Sequence, residues 1–158
     1  MPREQYQVRF KGLRSHVCLE KEEYSYPDPS LIFNDLMSRD DCLLCALDGI
    51  QDPQNLGNIL RSGACLGVDA VVVPKDRSCP VTDAVIRVSR GGIEHVPLVR
   101  VTNLARFLDE IRDGGVFCYG LDESGGMSVI DVNLTGKICL VLGGEEGMRR
   151  LTRSRCDA

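Results

Sequence analysis

The 158-residue chain carries 23 acidic against 19 basic side chains, a formal charge of −4, with 43% hydrophobic and 27% charged residues. This is the size and mixture of one folded domain with a single core, and it excludes a wholly disordered chain or one coated in basic surface. No apolar run approaches the roughly 20 residues that a membrane span requires, and the opening MPREQYQVRF is not a secretory leader, so a cytoplasmic protein without membrane contact is expected.

Residues 1–30 are polar and lack sustained periodicity, and they read as an arm or linker ahead of a domain at 31–158. Apolar Leu31, Ile32, Phe33 and Leu36 predict a short helix over 30–37, with Ser30 as a candidate N-cap. The run from Cys42 to Leu47 predicts a first buried strand, broken by Asp48-Gly49 and Asp52-Pro53 as turn residues break strands. From about Asn55, the positions Leu56, Ile59, Leu60, Ala64 and Leu66 recur at helical spacing, and Gly67 is a natural stop. Asn55 and Arg61 are six residues apart, too far for one helical face. Meeting one ligand would therefore place Asn55 in the turn and Arg61 on the helix.

The valine-rich segment 69–74 predicts a second strand, 81–89 a helix ended by Gly91-Gly92, and 96–101 a third strand. Thr102-Asn103 open a helix striped by Leu104, Phe107, Leu108 and Ile111, and strands follow at 116–121 and 137–142. The segment 127–134 stays ambiguous. Gly143-Gly144-Glu145-Glu146-Gly147 turns into a last helix near Met148. Strands that are continuous apolar runs, separated by helices, predict an α/β fold with a mostly parallel sheet covered on both faces, and ligands in such sheets bind beyond the strand carboxyl ends. The loops at 48–58 and 143–147 both lie at such ends.

Eight cysteines would suggest disulfides in a small secreted chain, but Cys42, Cys45, Cys118 and Cys139 sit inside apolar runs and read as reduced core thiols. Cys42 and Cys45 form a single CxxC with no second pair, and His16 and His95 read as structural or surface groups, so no metal site is expected. Gly143-Gly144-x-x-Gly147 permits close approach of backbone amides to a ligand, yet neither a GxGxxG after the first strand nor a GxxxxGK[ST] is present. A nicotinamide oxidoreductase is thereby disfavoured.

The segments DGIQDPQNLGNILRSGACLGVDAVVVP from Asp48, KDRS from Lys75 and VSRGGIEHVPLVRVTNLARFLDEI from Val88 can be taken together with LVLGGE from Leu140, GMRRLTR from Gly147 and Cys156-Asp157. They resemble the SpoU/TrmH group of SPOUT-class RNA 2'-O-ribose methyltransferases, over roughly residues 9–157, and within it the branch acting on a guanosine of 23S ribosomal RNA. The resemblance implies an α/β-knot fold, S-adenosylmethionine as cofactor, an RNA substrate and a homodimer with the site near the interface. It places the family's Asn-x-Gly-x-x-x-Arg on Asn55, Gly57 and Arg61. Arg61 would orient the ribose or a phosphate and stabilise the forming alkoxide, since a guanidinium pKa of about 12.5–13.8 makes it a poor base. It places cofactor contacts on Gly143, Glu145, Gly147, Gly120 and Leu121, and RNA phosphates on Arg149, Arg150 and Arg153.

Two departures shape the expectation. The second motif of that branch, Gly-x-Glu-Gly-x-Gly-Met-Arg-Arg, is one residue shorter here, and a third motif that threads the family's knot has no counterpart before Ala158. A catalytic domain incomplete at its carboxyl end is expected, with a catalytically silent RNA-binding or ribosome-assembly module as the alternative.

Overall fold

The computed structural model describes residues 23–123 and 125–158. In chain order they form α1 (Pro29–Ser38), β1 (Cys42–Asp48), α2 (Pro53–Leu66), β2 (Ala70–Pro74), α3 (Asp83–Ser89), β3 (Leu98–Val101), α4 (Leu104–Asp113), β4 (Phe117–Leu121), β5 (Lys137–Gly143) and α5 (Arg150–Arg153), with 3-10 turns at Gly92–Glu94 and Val129–Asp131. The strands make one sheet of order β3-β2-β1-β5-β4, and each pairing is parallel. The expected α/β architecture with a parallel sheet is the one observed.

Each face of the sheet has its own core. Leu44, Ala46, Val72, Val99, Cys139 and Val141 pack under α1 and α4, whereas Cys45, Leu47, Val71, Val73 and Leu98 pack under α2 and α3. Central strands apolar on both faces are what a parallel sheet between helical layers demands, because the crossovers themselves cover it. Strand alternation also decides the CxxC. Cys42 belongs to the first core and Cys45 to the second, so the two thiols point to opposite faces and no single ion could take both.

The helix starts differ from the expected ones by a few residues, for a common reason. Asp28 rather than Ser30 caps α1, its Oδ1 accepting from the Ser30 N–H at 2.8 Å. Asp52 caps α2 and accepts from the Gln54 N–H at 3.1 Å, so that helix begins at Pro53 and not at Asn55. In both places proline follows the aspartate, its fixed φ pre-set for the first helical position. Gly67 does end α2, in the left-handed conformation at φ 75°, with the Val68 N–H donating to the Gly63 carbonyl at 2.9 Å.

The ambiguous segment 127–134 contains one 3-10 turn, and the β4–β5 crossover is otherwise irregular. It leaves Met127, Val129, Ile130 and Leu134 exposed. Part of the expected arm is described. The Tyr24 and Tyr26 hydroxyls accept from the Leu98 N–H at 3.3 Å and the Val81 N–H at 2.9 Å, and both rings pack on the second core. Residues 1–22, with His16, lie outside the described residues.

Strand order fixes where a site can form. From β1 the chain winds outward through β2 and β3, then crosses by α4 to β4 at the far edge and returns inward to β5 beside β1. The connections leaving β1 and β5 therefore part to opposite faces, opening a crevice beyond their carboxyl ends.

Candidate functional site

Asp48 and Gly143 are register partners at the last positions of β1 and β5. Asp48 follows the alternation of Cys42, Leu44 and Ala46, so its side chain turns to the first core, where it is 1% exposed. Its Oδ2 accepts from the Arg149 backbone N–H at 2.9 Å and its Oδ1 from Arg149 Nε at 2.6 Å. Burial raises the carboxyl's pKa, but hydrogen bonds from Arg149 and Thr152 outweigh it and leave the group below the ordinary carboxylate range. This buried ion pair ties the end of the first strand to the start of α5.

Asp48→Asn is expected to destabilise the fold by about 2 kcal/mol, because an amide turns a donor toward donors and loses the charge. A carboxyl depressed by folding stabilises the native state above its unfolded pKa of about 3.9, and that contribution disappears as pH falls through the lower native value. Thermal unfolding of both proteins between pH 7 and 2 checks this. The difference in stability between them should shrink as the solution is acidified below about pH 4.

The two loops meet without room for side chains. A Cβ on Gly143 would stand 2.2 Å from the Gly147 carbonyl carbon and 2.3 Å from Met148 N, and one on Gly144 would stand 2.5 Å from the Gly49 carbonyl oxygen. Gly144 N–H donates to Asp48 O at 2.9 Å, and Gly147, at φ 77°, donates to Gly144 O at 2.8 Å. The result is a rigid lip on a cavity of about 550 Å³, lined among others by Asn55, Arg77, Glu145, Glu146, Gly147 and Arg149.

Asn55 reaches this cavity from the first turn of α2. Arg61 lies on the same helix, about 9 Å further along and about 120° around its axis, and it does not line the cavity. The geometry thus places both residues on the helix rather than dividing them between turn and helix. Gly57 between them serves packing. A Cβ there would stand 2.7 Å from Val88 Cβ, so its absence lets α2 and α3 lie close. Gly92 does the same against the backbone of Leu60 and Arg61, at 2.7 and 2.8 Å. Arg61 is held at its backbone, while its exposed side chain makes no hydrogen bond or ion pair among the described residues.

Gly120 and Leu121 line a second cavity, of about 700 Å³, beside β4 and β5. Its walls include Met127, Val132, Leu134 and Leu140, with Asp122 and Glu123 at the side. Gly120 faces the first core, where Met148 Cε and Cys156 Sγ would stand 2.9 and 3.1 Å from a Cβ, and its N–H donates to the Ala158 carbonyl at 2.7 Å. The five residues expected at a cofactor are therefore divided between two cavities that share no lining residue. Gly120 and Leu121 belong to one and Glu145 and Gly147 to the other, while Gly143, at the end of β5, lines neither.

The basic cluster near the carboxyl end is largely internally paired. Arg149 is bound to Asp48, Arg153 to Asp122 and Arg155 to Asp109, whereas Arg150 is exposed and unpaired among the described residues. Sequence reasoning missed Asp48 and Arg77. The signal for Asp48 was an acid in phase with inward-facing apolar residues. Arg77 stood unremarked within the KDRS segment of the resemblance, and its left-handed backbone, φ 60°, which costs about 1 kcal/mol, shows only in the structure.

A profile of the SpoU rRNA Methylase family matches residues 43–158. A protein of Xanthomonas campestris pv. campestris named 23S rRNA (guanosine-2'-O-)-methyltransferase RlmB is 51% identical over 116 residues, covering 73% of this chain and 47% of that protein. The Coxiella burnetii protein of the same name is 44% identical over 143 residues, 89% of this chain and 57% of its own. The chain thus spans about half the length of these relatives. Among solved structures, the SpoU methyltransferase AviRb of Streptomyces viridochromogenes in complex with AdoMet superposes with a TM-score of 0.68 at 31% identity, covering 75% of this chain and 47% of that one.

Proposed function

The chain belongs to the SpoU rRNA Methylase family, and from that premise we propose that it transfers a methyl group from S-adenosylmethionine to the 2'-hydroxyl of a ribose in RNA, a guanosine of 23S ribosomal RNA. The observation that carries the proposal is the cavity beyond β1 and β5 that Asn55 reaches, together with a second cavity beside β4 and β5 that Gly120 and Leu121 line. Relatives that carry the activity in their names supply the reaction type.

The residues fit the cofactor. A space of 700 Å³ lies within the range of about 300–1,000 Å³ usual for small-molecule sites. Leu121, Leu134 and Leu140 offer apolar walls to an adenine ring, and Asp122 and Glu123 offer carboxylates to ribose hydroxyls. Glu145 and Gly147, in the loop after β5, are our candidates for the polar methionyl portion. When bound, S-adenosylmethionine would supply an electrophilic methyl group.

The protein's own part is positioning and electrostatics. Asn55, anchored in the first turn of a capped helix, presents an amide that can both donate to and accept from a nucleotide. Arg61 stabilises the alkoxide that forms as the ribose hydroxyl loses its proton, a role suited to a permanently charged fork. Arg61 lies outside the Asn55 cavity, so we place it at the interface of a homodimer, serving the partner's site. Of the carboxyl-terminal arginines, Arg150 is the one available to RNA phosphates, while Arg149 and Arg153 hold the loops through their acids.

Among the described residues no helix is long and apolar enough to cross a membrane. Calorimetric titration with S-adenosylhomocysteine tests the proposal, run on this chain and on one extended past Ala158. Saturable binding by either chain supports it. Absence of binding by both would leave the RNA-binding module as the reading.

A further inference from the structure

Six arginines among the described residues are neutralised by acids, namely Arg39, Arg106, Arg112, Arg149, Arg153 and Arg155. Arg100 donates to the Lys75 carbonyl at 2.8 Å and lies 4.8 Å over the Tyr26 ring. Among the described residues Arg61, Arg77, Arg87, Arg90 and Arg150 make no such pair, in a chain whose acids outnumber its bases. Of these five, Arg77 is the one that lines the Asn55 cavity, and it also lines an adjoining space of about 280 Å³ with Asp76, Thr102 and Asn103.

The loop that carries it is fixed on both sides. Lys75 N–H donates to Val101 O at 2.8 Å, Ser78 Oγ donates to Pro74 O at 2.5 Å, and Cys79 N–H donates to Ile50 O at 2.8 Å. These bonds hold Arg77 in its left-handed conformation from outside, so its own side chain has no part in keeping the loop. Among the described residues the other non-glycine residue with positive φ, Arg90, has a local reason, since it caps the end of α3. At Arg77 a glycine would meet the backbone requirement without strain. What a glycine would lack is the guanidinium between the two cavities.

We propose that Arg77 is the phosphate anchor of the RNA substrate, its fork holding a backbone phosphate next to the nucleotide whose ribose enters the Asn55 cavity. This rests on the reading of the chain as an RNA ribose methyltransferase. The Asn55 side carries the carboxylates of Glu145 and Glu146 and the other side that of Asp76 alone, so the phosphate lies on the side of Thr102 and Asn103, whose hydroxyl and amide are compatible with it. A guanidinium binds phosphate through two parallel N–H bonds and so sets orientation as well as affinity, which makes Arg77 a positioning residue for the methyl-accepting ribose.

The test uses an in vitro transcript of 23S ribosomal RNA and three proteins, the unsubstituted chain, Arg77→Gly and Arg77→Lys. Methyl transfer is measured against RNA concentration at several salt concentrations. Arg77→Gly should raise KM for RNA about tenfold with kcat within about twofold, and should flatten the dependence of log affinity on log salt by about 0.7–0.9, the share of one phosphate. Its Tm should not fall, since glycine relieves the left-handed strain, and its affinity for S-adenosylhomocysteine should be unchanged. Arg77→Lys should restore the salt dependence and only part of the KM, because the charge is kept and the fork is lost. Unchanged KM and salt dependence in Arg77→Gly, with the unsubstituted chain active, overturns the anchor and leaves the methyltransferase reading standing. No transfer by the unsubstituted chain or by one extended past Ala158 overturns the reading beneath it.

Discussion

Arg61→Ala is expected to lower methyl transfer to 23S ribosomal RNA by about 10²–10³-fold, the usual consequence of removing one charge-stabilising donor from a transition state. Folding stability should stay within about 0.5 kcal/mol, because the side chain is exposed and makes no bond among the described residues. Binding of S-adenosylhomocysteine should also be nearly unchanged, since neither cavity is lined by Arg61. Arg61→Lys should recover little, as a single ammonium cannot reproduce a planar fork. Undiminished turnover in Arg61→Ala would remove this residue from the chemistry.

The position of Arg61 allows a sharper version of the same test. If it serves the partner's site, equal mixing of Arg61→Ala with Asn55→Ala chains should restore about a quarter of the unsubstituted activity. Half of the dimers are then mixed, and each mixed dimer has both lesions in one site and an intact second site. A mixture as inactive as its components, despite exchange of subunits, would return Arg61 to the site of its own chain.

Much of this arrangement was legible in the sequence, and what was not has identifiable causes. The inner strands announced themselves because both faces are buried, so Val71, Val72 and Val73 or Leu44, Cys45 and Ala46 form unbroken apolar runs. The stripe of α4 was equally plain, with Leu104, Phe107, Leu108 and Ile111 all buried. The boundaries near the site were harder. Asp52-Pro53 reads equally as a turn and as an N-cap followed by a first helical residue, and the choice depends on whether the aspartate finds the Gln54 N–H. Deciding it moved Asn55 from a turn onto the helix.

The arginines show a deeper limit. In sequence, Arg149, Arg150 and Arg153 form one basic cluster, and a periodic reading gives them one role. In the fold, their partners come from Asp48 and Asp122, 101 and 31 residues distant, contacts that no local pattern encodes. Two of the three thereby become structural ties. Arg77 is the converse, an inconspicuous residue that the β2–α3 loop sets between two cavities. The resemblance to a family implies a reaction and a cofactor, whereas only the fold separates structural from available charge.

Gly143→Ala is the substitution expected to damage the site most through structure. A methyl group there would stand 2.2 Å from the Gly147 carbonyl carbon and 2.3 Å from Met148 N, and both are backbone, which has no rotamer to yield. Relief requires the 143–147 loop to lift from the end of β5. That movement strains the Gly144–Asp48 bond, which joins the loop to β1, and displaces the Arg149 N–H from the Asp48 carboxylate. A cost of about 3 kcal/mol is expected, at the upper end of ordinary overpacking. Binding of S-adenosylhomocysteine should fall with it, because Gly147 and Glu145 ride on the displaced loop while Gly120 and Leu121 do not. Gly147→Ala provides the contrast. Nothing stands within 4 Å of its Cβ, but its φ of 77° is strained for alanine, so a smaller loss of about 1 kcal/mol is expected. Chemical denaturation and calorimetry on both variants separate the two causes. A Gly143→Ala protein as stable as the unsubstituted chain, with full affinity, would show that the loop yields freely and that the tight junction between β1 and β5 does not shape the site.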